Sequence, residues 1–213
     1  MNARNSKRVV LLIHEIYGVN EHMMHAADMI KGWGFDVECP NLFARSQAYS
    51  YQEEEQAYKN FMSNVGIEKG VSLIRQYVQE LKEKYEQIYL VGYSVGATIA
   101  WLCSEDEWVD GVIGYYGSRI RDHLEVESTC PVLLFFSESE KSFNVQELVR
   151  NLLAKENEKI SLHTFPTKHG YANPYSPHFS QPYYTESLRL TKEFLVNKLP
   201  LHIDDIHNVH SSN

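Results

Sequence analysis

Short apolar runs alternate along the chain with longer segments in which apolar residues recur every three or four positions. A continuously apolar run is typical of a strand buried on both faces of a parallel sheet. The longer segments have the period of helices with one buried face. Strands are predicted at 8–13, 35–40, 87–92, 111–116, 131–136 and 159–165. The last run alternates apolar with polar residues, which predicts an edge strand.

Two of the predicted helices are marked clearly. In 65–85 the apolar residues fall on one face, and Asn144 followed by Glu147 predicts a capped helix start. Strand followed by helix, repeated, predicts right-handed crossovers and a mainly parallel sheet covered on both sides. In such sheets the ligand site lies beyond the carboxyl ends of the strands. Residues that carry chemistry are therefore expected directly after each strand.

Three residue types used in acyl transfer follow three of these strands. Ser94 lies within Gly-Tyr-Ser-Val-Gly (92–96) after the third strand, Glu140 follows the fifth and His169 the sixth. A serine hydroxyl is a weak nucleophile until a histidine takes its proton, and the histidine needs a carboxylate to fix its tautomer. The order serine, acid, histidine is that of an α/β-hydrolase triad.

The segment around the serine also predicts a site for a developing negative charge. The flanking glycines leave room for a tight turn, and the helix that begins there offers free N–H groups. The Val95 amide is therefore predicted to bind an oxyanion. Its partner is expected to be the Ile16 amide, in the loop after the first strand. Glu15 directly precedes that amide.

Less specific interpretations of the same residues stay open on the sequence alone. Ser94 would serve equally well as the N-cap of the following helix. Glu138 competes with Glu140 as the triad acid, and His169 is one of ten histidines. Glu15 would also suit a charge near the start of the predicted helix at 20–31.

Composition narrows the class of protein and its partners. The 213 residues are 43% hydrophobic, and their formal net charge is −8 with scattered lysines and arginines. This predicts one domain over 1–200 with a polar tail at 201–213, a small-molecule substrate, and neither nucleic acid nor a membrane as partner. No run approaches the roughly 18 apolar residues of a membrane span. Three unpatterned cysteines and the polar residues directly after 8–13 favour a cytoplasmic protein without an export signal, as monomer or homodimer.

The tail contains residue types that bind metals. These are His202, Asp204, Asp205, His207 and His210. Their spacing matches no recognised zinc pattern, and a serine triad needs no metal or organic cofactor. Neither is therefore expected.

Several blocks of the chain together resemble the dienelactone hydrolase family of α/β-hydrolases. They are HEIYGVN (14–20), CPNLF (39–43), EQAY (55–58), VGYSVGA (91–97), GYYG (114–117), PVLLFFSESE (131–140) and KHGYANP (168–174), within about residues 8–197. The resemblance implies a three-layer α/β-hydrolase fold with Ser94 as nucleophile, Glu140 as acid and His169 as base. It also implies a carboxylate beside the nucleophile at Glu15, and oxyanion amides at Ile16 and Val95.

The chain departs from the family pattern at four points. The family enzyme has cysteine in place of Ser94, and its acid is usually aspartate rather than glutamate. The two arginines that bind its substrate's carboxylate correspond here to Glu54 and Asn173. The usual N-terminal strand pair is missing, which predicts a trimmed sheet of about six strands.

These features together predict a serine hydrolase that cleaves carboxylic esters or lactones through an acyl-enzyme, with a preference for uncharged acyl groups. The walls of its substrate pocket are predicted to be Tyr17, Tyr93, Tyr115, Tyr116 and Tyr171. Within the same class, thioesterase or peptidase chemistry remains open, since one triad serves all acyl transfers. The alternative from another class is a catalytically weak protein of the same fold that binds a ligand as a sensor.

Overall fold

A computed structural model describes residues 7–44, 47–140 and 143–197. Within these ranges the strands form one six-stranded sheet in the order β2-β1-β3-β4-β5-β6, and all neighbouring strands are parallel. The strands are β1 (Arg8–Ile13), β2 (Asp36–Glu38), β3 (Gln87–Tyr93), β4 (Gly111–Tyr115), β5 (Val132–Ser139) and β6 (Ile160–Lys168). The tail predicted at 201–213, with its candidate metal ligands, lies outside the described residues.

Helices cover both faces of the sheet and complete a three-layer α/β fold. They are α1 (Glu21–Gly32), α2 (Glu54–Asn64), α3 (Gly66–Lys82), α4 (Val95–Leu102), α5 (Val145–Leu153) and α6 (Gln181–Asn197). Apolar residues of α1 and α6 pack in one core cluster, and those of α2 to α5 pack in the other. None of the described helices is both long and apolar enough to cross a bilayer.

The continuously apolar strands are explained by these two cores. In β1, Val9, Leu11 and Ile13 belong to the cluster under α2 to α5, whereas Val10 and Leu12 belong to the cluster under α1 and α6. Successive side chains of a strand point to opposite faces. A strand with a core on each side must therefore be apolar at every position.

Most of the predicted elements are confirmed, including β6 as an edge strand and the helix over 65–85. At the start of α5 the Asn144 side chain accepts a hydrogen bond from the Glu147 N–H at 3.2 Å. Three strands differ clearly from the prediction: β2 covers only 36–38 of the predicted 35–40, whereas β5 and β6 run three residues further. Their pairing continues past an irregularity to Ser139 and Lys168. Pro166 is tolerated there because an edge strand has one side without a ladder.

The strand order reverses direction between β1 and β3. The chain leaves β1 through α1 toward β2 on one side, and then crosses through α2 and α3 to β3 on the other. Loops that leave adjacent parallel strands in opposite directions open a crevice at the carboxyl edge of the sheet. The segments that carry Glu15, Ile16 and Ser94 begin at this crevice.

Candidate active site

A chain of two hydrogen bonds joins residues from three different strand ends. The Ser94 hydroxyl lies 3.0 Å from the Nε2 of His169, and the Nδ1 of His169 lies 2.9 Å from a carboxylate oxygen of Glu140. A carboxylate only accepts hydrogen bonds, so Nδ1 carries the proton and Nε2 accepts from the serine. This is the protonation state that a histidine needs to act as a general base.

Ser94 lies in a backbone conformation that few residues other than glycine adopt. Its φ is 54° and its ψ is −117°, at the junction of β3 and α4. The flanking glycines are required by the same turn. A Cβ on Gly92 would lie 2.2 Å from the Gly96 carbonyl oxygen, and one on Gly96 would lie 2.2 Å from the Ile13 carbonyl oxygen. The turn is therefore packed backbone against backbone and lifts the serine out of the sheet.

The capping alternative for Ser94 is wrong. The residue occupies the N-cap position of α4, but its side chain accepts no hydrogen bond from the helix. The hydroxyl points instead to His169. The geometry also distinguishes the two glutamates, because Glu138 is exposed on β5 whereas the Glu140 side chain is only 8% exposed and contacts His169.

The surroundings of His169 raise the pKa of its imidazole above the ordinary value. Burial alone would lower this pKa. The hydrogen bond and the charge of Glu140 outweigh burial, and the charges of Glu15 and Glu54 act in the same direction. The His169 side chain is still 37% exposed, so it is open to solvent.

Two backbone amides at the crevice have no hydrogen-bond acceptor within the described part of the chain. They are the N–H groups of Ile16 and Val95, the pair expected to bind an oxyanion. The two segments are in close contact, since the backbone at Ile13 and His14 lies directly against Gly96. Free donors beside a serine that faces a histidine are what a tetrahedral oxyanion requires.

Glu15 lies in a buried polar network next to these groups and is 5% exposed. Its carboxylate accepts a hydrogen bond from Asn173 Nδ2 at 3.3 Å and lies 3.5 Å from His22 Nδ1. Burial alone would raise the pKa of Glu15, but His22 and other neighbours lower it below its ordinary value. The Ser94 hydroxyl hydrogen-bonds to His169 and not to Glu15.

Two members of this network were not found from the sequence. Tyr51 receives a hydrogen bond from Asn173 Nδ2 at 2.8 Å, and burial, the main cause, raises its pKa to about 12. His22 lies on the buried face of α1 and packs edge-on against Tyr93, with ring centroids 4.5 Å apart. A histidine among apolar helix residues carries no spacing signal, and a single tyrosine in the short 3₁₀ helix before α2 carries none either.

The pocket prediction needs correction for four of the five tyrosines. Tyr93, Tyr115, Tyr116 and Tyr171 are each at most 4% exposed, so they are core residues and do not line an open pocket. The Tyr115 hydroxyl, for example, bonds to Thr191 of α6 at 2.7 Å. Sequence pattern cannot distinguish a tyrosine that is buried in the core from one that faces substrate. Tyr17 is half-buried at the crevice and remains a candidate.

In this parallel sheet a serine lies on a strained turn between a strand and a helix, and it faces a histidine and an acid from later strands. This arrangement defines the α/β-hydrolase class. The model of the dienelactone hydrolase family matches residues 1–198. The chain belongs to this family and is a hydrolase that acts on esters.

Individual relatives agree with this assignment. The uncharacterized protein YczH of Bacillus subtilis (strain 168) is 39% identical over 91% of this chain and 95% of its own length. Carboxymethylenebutenolidase 1 of Cupriavidus pinatubonensis (strain JMP 134 / LMG 1197) is 27% identical over 90% of this chain and 86% of its own.

Solved structures show the same fold. A Klebsiella pneumoniae subsp. pneumoniae MGH 78578 protein, provisionally described as a dienelactone hydrolase, is 16% identical with a TM-score of 0.75, covering 89% of this chain and 87% of its own. Est1E from Butyrivibrio proteoclasticus, solved with ferulic acid bound, is 14% identical with a TM-score of 0.66, covering 92% of this chain and 93% of its own. At such identities the likeness concerns the fold alone.

Proposed function

We propose that this protein is a serine hydrolase that cleaves uncharged carboxylic esters or lactones through an acyl-enzyme. The observation that carries the proposal is the hydrogen-bonded chain from Ser94 through His169 to Glu140, with the serine on a strained turn. A nucleophile, its base and the group that orients the base are then in the geometry that acyl transfer requires.

In the first half of the reaction, the Ser94 oxygen attacks the ester carbonyl carbon while His169 Nε2 takes the hydroxyl proton. The carbonyl oxygen becomes an oxyanion, which the Ile16 and Val95 amides stabilise. When the bond to the alcohol oxygen breaks, His169 returns the proton to that oxygen. In the second half, water loses a proton to His169 and attacks the acyl-enzyme, and the acid product leaves as Ser94 regains its proton.

The preference for uncharged acyl groups is supported by the residues at the two arginine positions. The donors of Asn173 are engaged by Glu15 and Tyr51, so its amide has little left to offer a substrate carboxylate. The negative charge of Glu54, at the start of α2, raises the pKa of His169 and that of Tyr17. A second carboxylate entering this site would meet negative charge, and desolvating an unpaired anion costs several kcal/mol.

The proposal is tested with Ser94→Ala and p-nitrophenyl acetate as substrate. We expect kcat to fall by about a million-fold, as when other enzymes lose a triad nucleophile. Ser72→Ala, on the exposed face of α3, is the matched control and keeps the parent rate. If Ser94→Ala hydrolyses the ester at a rate near that of the parent, the nucleophile assignment is wrong.

A further inference from the structure

His14 follows β1 directly and has no solvent exposure, yet the proposed reaction does not use its side chain. Its Nδ1 lies 2.6 Å from the carbonyl oxygen of Glu15. Its Nε2 lies 3.0 Å from the backbone nitrogen of Leu42, and its ring packs against Phe43 with centroids 5.3 Å apart. The imidazole therefore lies between the loop after β1 and the loop after β2.

These two hydrogen bonds determine the tautomer of the ring. A backbone carbonyl only accepts and a backbone N–H only donates, so Nδ1 carries the proton and Nε2 does not. A second proton on Nε2 would face the Leu42 N–H. Burial lowers the pKa of His14 to about 4, although the hydrogen bond to Glu15 acts in the opposite direction. The ring is neutral over the working range of a serine hydrolase.

The bond to the Glu15 carbonyl has a consequence for the next residue. That carbonyl and the Ile16 N–H belong to one peptide unit, which is planar and trans. Fixing the direction of the carbonyl therefore fixes the opposite direction of the N–H. The Gly18 N–H also donates to the Glu15 oxygen at 3.2 Å. The peptide plane is held from two sides, and the Ile16 N–H is left without an acceptor in the described structure.

We propose that His14 is a positioning residue for the oxyanion site, because its Nδ1–H holds the Glu15–Ile16 peptide so that the Ile16 N–H points toward the substrate. This inference rests on the proposed function. It gives the histidine that begins HEIYGVN (14–20) a role through its neighbour's backbone, without contact to substrate. The rival role is a purely structural one, in which the ring only ties the two loops together.

The two roles are separated by comparing an oxoester with its thionoester, in which sulfur replaces the carbonyl oxygen. Sulfur is a weak hydrogen-bond acceptor, so a thionoester gains little from the oxyanion amides. His14→Leu removes both hydrogen bonds. We expect its kcat on the oxoester to fall by about 100-fold, as when an oxyanion donor is lost, with KM nearly unchanged. On the thionoester kcat should fall by less than about tenfold on the same reasoning.

His14→Asn is the conservative variant, because its amide nitrogen occupies the place of Nδ1 and can still donate to Glu15 while the bond to Leu42 is lost. We expect the ratio of oxoester to thionoester turnover to stay within about threefold of the parent, because the oxyanion site keeps its geometry. His163→Asn, which removes the imidazole that packs on Phe135 at the sheet edge, controls for the loss of a partly buried ring.

The inference is overturned if His14→Leu loses the same factor on both esters, or if His14→Asn loses the ratio as His14→Leu does. If His14→Leu yields no folded protein, His14→Ala takes its place as the variant without a donor to the Glu15 carbonyl, and a larger loss on the oxoester supports the role whereas an equal loss on both esters overturns it. Ser94→Ala is assayed alongside. Activity surviving in Ser94→Ala would contradict the proposed function, whereas an unchanged ratio in His14→Leu together with an inactive Ser94→Ala would contradict only the role of His14.

Discussion

Glu140 reaches His169 from the first position after β5, directly past the irregular pairing between Ser137 and Ser139. The family acid is usually aspartate, and the longer glutamate still lies within hydrogen-bond distance of the ring. Two positions earlier, Glu138 is on the exposed side of the same strand, which makes the two glutamates a natural matched pair.

Replacing the acid should separate these two residues by activity. We expect Glu140→Gln to lower kcat by on the order of ten-thousand-fold, because an amide neither fixes the tautomer nor stabilises the imidazolium. Glu138→Gln should stay within about twofold of the parent, since an exposed side chain away from the ring contributes little. The measurement is steady-state hydrolysis of p-nitrophenyl acetate. Equal, mild losses in both variants would remove Glu140 from the triad.

The raised pKa of His169 predicts the direction of the pH dependence. Only the unprotonated ring can accept the Ser94 proton, so kcat/KM should fall as the pH drops through a pKa above the ordinary value of about 6.5. Because Glu140 contributes to the upward shift, Glu140→Gln should move this limb to lower pH in its residual activity. Profiles of kcat/KM between pH 5 and 9, measured for the parent and for Glu140→Gln, report the apparent pKa of His169 in each protein. A limb that stays in place or moves up would contradict the electrostatic account.

Residue identities and strand order were enough to predict that Ser94, Glu140 and His169 lie together, because each of them follows a strand. The contacts of His22, Asn173 and Tyr51 were not predictable, since they join loops and a helix face that are distant in sequence. The role of His14 was hidden for the same reason. Its partners are backbone atoms, which leave no mark in the sequence.

At the scale of elements, the turn from β3 into α4 depends on the two glycines beside the serine. Gly96→Ala places a methyl group 2.2 Å from the Ile13 carbonyl oxygen, in backbone that cannot yield easily. We expect its free energy of unfolding to drop by about 3 kcal/mol or more, with loss of activity. Urea unfolding measures this change.

Gly32→Ala is the matched control for this substitution. An added Cβ at Gly32 meets nothing within 4 Å, and the residue ends α1. Its free energy of unfolding should change by less than about 1 kcal/mol, in the stabilising direction expected for alanine over glycine in a helix. Should Gly96→Ala unfold at the same urea concentration as the parent, the close packing of the turn would be refuted.

The strands themselves were largely predictable, because two-sided burial imposes apolar runs that few other structures require. Their ends were less so. β2 is only three residues long, although 35–40 has the pattern of a strand. β5 and β6 continue through polar residues because their backbones remain paired there. Backbone pairing leaves no pattern in the sequence.

At the scale of the whole molecule, charge predicts which substrates are favoured. The net charge of −8 adds a weak, screened repulsion to the local carboxylates of Glu15 and Glu54. We expect a neutral ester to show a kcat/KM at least about tenfold higher than its partner with a terminal carboxylate, since a desolvated and unpaired anion costs more than 1.4 kcal/mol. The pair should differ only in a methyl amide replacing that carboxylate.

The salt dependence of this comparison provides its control. Raising the ionic strength should reduce the difference in kcat/KM between the two esters only in part, because buried charges are screened less than exposed ones. A preference for the acid would mean that a cation reaches the site, and the specificity proposal would then fail.

The central claim is that Ser94 is an activated nucleophile, and covalent labelling tests it most directly. The parent protein and Ser94→Ala are incubated with a fluorophosphonate, and their intact masses and peptides are measured. The account predicts rapid addition of a single phosphonyl group to Ser94 in the parent, slower addition in Glu140→Gln, and none in Ser94→Ala. Two results would contradict this claim. One is labelling at a different residue, and the other is no labelling of the parent, which is expected of a ligand-binding protein without an activated serine.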